Sequence, residues 1–132
     1  MNVNLGDMAP SLLGVKFRAN GRNPIRGLDC VGVLVVTCQL AGVNCPDFNE
    51  YGMAGSHDLL ILQLHAHGFK KQTRNPRKGD VVTFKGKDSG HVGIMESETS
   101  MIHSRVELGE VRREPFAIKW AKILSGVWEP PN

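Results

Sequence analysis

From Cys30 to Val43 the chain reads CVGVLVVTCQLAGV, and 12 of these 14 positions are apolar or glycine, with only Thr37 and Gln39 polar. Such a run has no face to offer water. It predicts a helix from about Asp29 to Ala41, buried on most sides, with Gly42 as C-cap. The run begins with a charged residue, Asp29, and a thiol, Cys30. A core helix whose first turn is a reactive site accounts for both.

The chain of 132 residues is the size of one domain, 1–132. Its 41% hydrophobic and 22% charged residues are those of a water-soluble globular protein. Sixteen basic against 13 acidic residues give +3, with an isoelectric point near 8.9. That balance suits an anionic polymer such as cell-wall material and is too weak to argue for nucleic acid. No stretch reaches the roughly 18 consecutive apolar residues of a membrane span, so no membrane insertion is expected. The start, MNVNLGDMAPSLLG, lacks the cationic-then-apolar pattern of a signal peptide. Three cysteines, Cys30, Cys38 and Cys45, are too few and odd in number for a disulfide framework, so at least one free thiol is expected.

Along the chain, residues 9–18 predict a short helix and Asn20–Pro24 a turn. A loop is expected over 44–54 and a second helix over 56–68, between Ser56 as N-cap and Gly68 as C-cap. KKQTRNPRKGD follows as a basic loop, a solvated connection or a docking patch for anionic polymer. Then the period shortens. DVVTFKG, HVGIMES, SMIHSRVELG and EVRREP predict successive short strands, FAIKWAK a helical turn and SGVWEP a last strand. Helices first and a strand meander afterwards predict an α+β fold with an antiparallel sheet.

Cys30 falls where unpaired N–H groups and the positive end of the helix dipole favour a thiolate, and where backbone N–H groups can receive an oxyanion. A nucleophilic thiol needs a base. Of the five histidines, His57, His65 and His67 fall on or near the second helix and are expected to be ordinary surface or helix-end residues. His91 and His103 differ. If their strands pair around a turn centred on Ser97, the two face each other directly with Cβ atoms about 5 Å apart. One would then act as base and the other would orient it. No C-x2-C pair or H-E-x-x-H is present, and no metal is expected.

GVKFRANGRNPIRGLDCVGVL, then KGDVVTFKGKDSGHVGIM, then MIHS resemble the NlpC/P60 cysteine peptidases in their phage-tail form, over most of the chain from Leu13 to His103. The C-terminal VRREPFAIKWAKILSGVWEP is similar to the tails of phage-encoded members. The resemblance implies a papain-like α+β fold with N-terminal helices packed on the sheet. It implies Cys30 as nucleophile, His91 as general base, His103 as the residue that orients it, and no cofactor. It further implies a substrate site shaped by Asp29, Phe17 and Val31, with Phe17 standing where many members have Tyr and Val31 where many have Ser. The implied activity is hydrolysis of amide bonds in peptidoglycan stem peptides, typically next to γ-D-glutamate. Phage tail proteins would be further partners, and the location a virion tail or the host cytoplasm before assembly. Three rivals are a same-fold acyltransferase or deacylase, a non-catalytic tail component that only binds, and a cytoplasmic hydrolase of imported wall fragments.

Overall fold

The computed structural model describes residues 3–45, 47, 57–86 and 89–131. The loop expected over 44–54 and the cap expected at Ser56 lie largely or wholly outside them.

Helical structure begins earlier than expected. Helix α1 (Leu5–Met8) is capped by Asn4, whose side chain accepts from the Gly6 N–H at 2.7 Å. A 3-10 turn over Ala9–Leu12 continues it. The helix expected over 9–18 stops at Leu12, because Gly14 turns the backbone into the left-handed region at φ +89°. Beyond it Lys16 and Phe17 are extended, bridging Glu110 and Leu28. Two short strands, β1 (Arg22–Asn23) and β2 (Gly27–Leu28), then form a hairpin that delivers the chain to Asp29.

Helix α2 (Cys30–Ala41) ends at Gly42 in the left-handed conformation, φ +74°. Four β-branched valines among its residues, Val31, Val33, Val35 and Val36, lower its intrinsic helix preference, a cost of up to about 0.7 kcal/mol each. All four are buried, as is Leu34; Leu40 is not. Burial returns roughly 1.5 to 3 kcal/mol for each buried one, so packing decides the helix.

Helix α3 (His57–Ala66) follows. The remaining strands are β3 (Lys70–Gln72), β4 (Val81–Lys85), β5 (Gly90–Ser97), β6 (Ser100–Ser104) and β7 (Val111–Pro115), then the turn α4 (Ile118–Ala121) and β8 (Leu124–Glu129). They form one antiparallel sheet in the order β3-β8-β4-β5-β6-β7. Two features depart from a simple meander. The basic stretch begins as an edge strand, and β8 returns across the sheet to insert between β3 and β4.

Alternate residues divide the sheet's two faces. Val81, Val92, Ile94 and Ile102 pack with α1, α2 and α3 in the main core. Val82, Phe84, Met95, Met101 and Val127 pack with Trp120 of α4 in a smaller one.

Candidate active site

Asp29 is the N-cap of α2. Its carboxylate accepts from the Gly32 N–H (2.8 Å) and the Asn20 N–H (2.8 Å) and pairs with Arg22 (2.9 Å). The first turn of α2 lies against the β1–β2 hairpin so closely that a Cβ at Gly32 would come 2.1 Å from the Gly21 carbonyl oxygen. That contact is the physical reason for glycine at the fourth position of DCVG.

Cys30, next to this cap, lines a cavity of about 270 Å³ together with His91, Phe17, Asp29, Arg105 and Trp120. The N–H groups of Cys30, Val31 and Val92 face the sulfur and favour the thiolate, as the helix terminus should. They do not prevail. Burial, and then the Asp29 charge, push the thiol up to about 12. Cys30 therefore rests as a neutral thiol, contrary to the expectation that the helix N-terminus would favour the thiolate.

The two histidines meet, but not in the expected register. Ser97 pairs with Ser100 across a two-residue turn, and Met95 and Ile94 pair with Met101 and Ile102. Continued, that register sets His103 opposite Gly93, two places from His91. A shift of two residues keeps the face, whereas a shift of one would have reversed it. With no side chain at Gly93, the His103 ring leans diagonally, and His91 Nε2 and His103 Nδ1 lie 2.7 Å apart.

The chain of contacts continues to a residue that sequence reasoning missed. His103 Nε2 lies 2.7 Å from Glu114 Oε1. Glu114 is on β7, whose register pairs Met101 with Glu114 and His103 with Arg112, so it too reaches diagonally on the same face. Its sequence signal was that Glu114 is the one acid within β7 itself, on the face that His103 shares once β6 and β7 are aligned.

These contacts fix the protons. A carboxylate only accepts, so His103 Nε2 carries hydrogen. His103 is fully buried, and burial lowers its pKa despite the carboxylate, so the ring is neutral and its Nδ1 accepts. His91 Nε2 must then donate to it, which leaves His91 Nδ1 unprotonated and able to accept. Burial first, then the closeness of His103, with which it cannot share positive charge, and the Arg105 charge, hold His91 well below the usual histidine range. Its ring is stacked near Trp120 (centroids 5.7 Å, 27°) and Phe84 (6.0 Å, 29°), while His103 meets Trp120 edge-on (5.2 Å, 90°). The Trp120 contact was also missed; it arises from a helical turn remote in sequence from both histidines.

Of the residues expected to shape the substrate site, Phe17 and Asp29 line the cavity. Val31 does not: it is 2% exposed and belongs to the main core, because it follows Cys30 on a helix that is buried on most sides. His57 bonds Ser125 Oγ (2.7 Å), His65 packs edge-on to Trp128 (4.9 Å) and His67 bonds the Gln63 carbonyl (2.9 Å), all outside the cavity. Three cations of the basic stretch are paired with carboxylates: Arg74 with Asp80 and Glu129, Arg77 with Glu129, Lys78 with Asp7. Among the described residues, no group of three or more His, Cys, Asp or Glu side chains is arranged to hold a metal ion.

A partly buried thiol at a helix N-terminus, with linked histidines on an adjacent antiparallel sheet, belongs to a papain-like α+β architecture. Residues 14–129 match the model of the NlpC/P60 family, and the chain belongs to that family. Solved structures with the same fold include an NlpC/P60 family protein from Bacillus cereus ATCC 10987 (22% identity, TM-score 0.68, 94% of this chain and 38% of that one). NlpC2 from Trichomonas vaginalis is similar at 18% identity and TM-score 0.72, over 97% of this chain and 46% of that one. The NlpC/p60 domain of the peptidoglycan hydrolase SagA is similar at 16% identity and TM-score 0.66, over 94% of both chains. The chain thus spans less than half the length of two of these three. No curated protein matches it.

Proposed function

We propose that the chain is a cysteine peptidase that hydrolyses amide bonds in peptidoglycan stem peptides next to γ-D-glutamate. The observation that carries this reading is the relay from the cavity inward: Cys30 and His91 share the cavity, and His91, His103 and Glu114 are joined by two contacts of 2.7 Å. Membership of the NlpC/P60 family and the fold shared with a peptidoglycan hydrolase domain support the substrate class.

The resting state sets the mechanism. With a neutral thiol and a neutral His91, attack and proton transfer occur together: the sulfur adds to the amide carbonyl as its proton passes to His91 Nδ1. The N–H groups that face the sulfur, those of Cys30, Val31 and Val92, are placed to donate to the oxyanion. His91 then gives the proton to the departing amine, leaving a thioester on Cys30. Water, deprotonated by His91, releases the acid and restores the thiol. Phe17 has no hydroxyl to add to the oxyanion site, so the backbone donors carry it.

The phage-tail role rests on the resemblance of the C-terminal segment to phage-encoded members; a virion tail would deliver a wall hydrolase from outside the cell. The primary test is Cys30→Ala against wild type on purified peptidoglycan. Release of new amino groups by wild type alone is expected; equal release by both overturns the reading. Mass spectrometry of purified virions tests the location.

A further inference from the structure

Arg105 is, among the described residues, the only lysine or arginine that lines the cavity shared by Cys30 and His91. Its guanidinium carbon lies 5.0 Å from the Trp120 ring centroid, and Trp120, 4% exposed, also packs on both histidines. The arginine is therefore mounted on the same rigid aromatic platform as the base. Its side chain is one-third exposed, and it is paired through Nε alone, with Glu107 Oε2 at 3.1 Å. Glu107 is 62% exposed, so its carboxylate is weakly held, yet it too lines the cavity. A planar guanidinium whose ion pair is with one loose surface carboxylate, met at a single nitrogen, is a fork with room for another.

We propose that Arg105 binds a free carboxylate on the substrate residue beside the amide being cleaved, and that Glu107 occupies that place until substrate displaces it. The proposal rests on the peptidase reading and sharpens it: stems bearing the free acid are substrates, and stems in which that carboxylate is an amide are poor ones. A carboxamide offers the guanidinium a neutral acceptor and brings an N–H2 that cannot pair with it, so discrimination of about tenfold to a hundredfold follows. The other charged groups nearby are engaged elsewhere: Asp29, in the cavity wall, is committed to its cap and to Arg22, and Lys119, near the same indole but outside the cavity lining, is paired with Glu114 at 3.7 Å.

The experiment compares L-Ala-γ-D-Glu-L-Lys with its counterpart carrying a carboxamide in place of the glutamyl α-carboxylate, in two readouts. In hydrolysis, wild type is expected to favour the free acid in kcat/KM by about tenfold or more. Arg105→Gln should raise KM for the acid and bring the ratio near one. Arg105→Lys should restore it only in part, and Glu107→Gln should lower KM for the acid. In binding, the Cys30→Ala protein is titrated with each peptide by tryptophan fluorescence, since Trp120 lies under the guanidinium; acid-selective binding should disappear in the double variant with Arg105→Gln. Hydrolysis of both peptides at equal rates overturns the inference and leaves the peptidase standing. Acid-selective binding without hydrolysis overturns the peptidase and leaves the carboxylate site. Neither binding nor hydrolysis overturns both.

Discussion

The Ser104 hydroxyl donates to the Leu28 carbonyl at 2.9 Å, a bond between fully buried groups 76 residues apart. Ser104 follows His103 on β6, and Leu28 lies two residues before Cys30. The bond therefore pins the strand that carries His103 to the segment that leads into Cys30 and α2. The neighbouring side chains point oppositely, His103 into the smaller core and Ser104 towards β2, so one strand serves both attachments. Ser104→Ala removes this donor, and the Leu28 carbonyl keeps only the longer bond from the Arg18 N–H at 3.3 Å. A stability loss of about 0.5 to 1.5 kcal/mol is expected, read as a lower urea midpoint with unchanged slope.

Gly32→Ala should cost stability by a different route. Its Cβ would meet the Gly21 carbonyl oxygen at 2.1 Å, backbone against backbone, where neither can yield cheaply. A loss of about 1 to 3 kcal/mol is expected, with the first turn of α2 displaced. Thermal unfolding measures the loss; a melting temperature equal to wild type would show that the hairpin gives way freely.

Glu114→Gln tests the proton assignment. The amide can donate to His103 Nε2, which permits the reversed tautomers and leaves His91 Nδ1 protonated and unable to accept. A kcat loss of roughly tenfold to a hundredfold is expected, short of the loss from removing the base itself. Stopped or steady-state peptidase assays measure it, and a kcat equal to wild type would remove Glu114 from the relay.

Alkylation of Cys30 should follow its raised pKa. Between pH 7 and 10 the iodoacetamide rate at Cys30, located by mass spectrometry, should climb about tenfold per pH unit without a plateau. A plateau below pH 7 would mean a preformed thiolate–imidazolium pair. The sign for stability follows. The folded state holds the thiol protonated, from the ordinary 9.0 to about 12, so the contribution is complete below pH 9 and is lost as pH rises towards 12.

His91 gives the opposite limb. Its folded pKa lies well below 6.5, so the neutral ring is favoured. Its contribution to stability is present above pH 6.5 and is lost as pH falls below that value. The acid limb of kcat/KM, which reports the free enzyme, should accordingly lie below pH 6.5. A limb at or above that value would contradict the buried, neutral base.

Much of this architecture is legible along the chain because it depends on near neighbours. The apolar run after Asp29 dictates a buried helix, and Gly42 stops it where the expected C-cap stands. The shift to period-two alternation from residue 81 dictates strands, and with them the placing of His91 and His103 on one face. Parity survives an error of two in the hairpin register, which is why the diagonal pair could be anticipated from a wrong turn. The early end of the first helix was less legible, since Val15 and Phe17 find hydrogen bonds on Val111 and Gly109, nearly a hundred residues away.

What the sequence by itself determined is the inventory and its local presentation: a thiol at a helix start, and two imidazoles on neighbouring strands. The tertiary structure decided their chemistry. Protonation depends on burial and on charges within a few ångströms, and those come from every part of the chain: Glu114 from β7, Trp120 from α4, Arg105 from the loop after β6. The same helix terminus that would lower a solvated thiol's pKa sits here in a buried place beside Asp29, and desolvation, which no local pattern encodes, outweighs it.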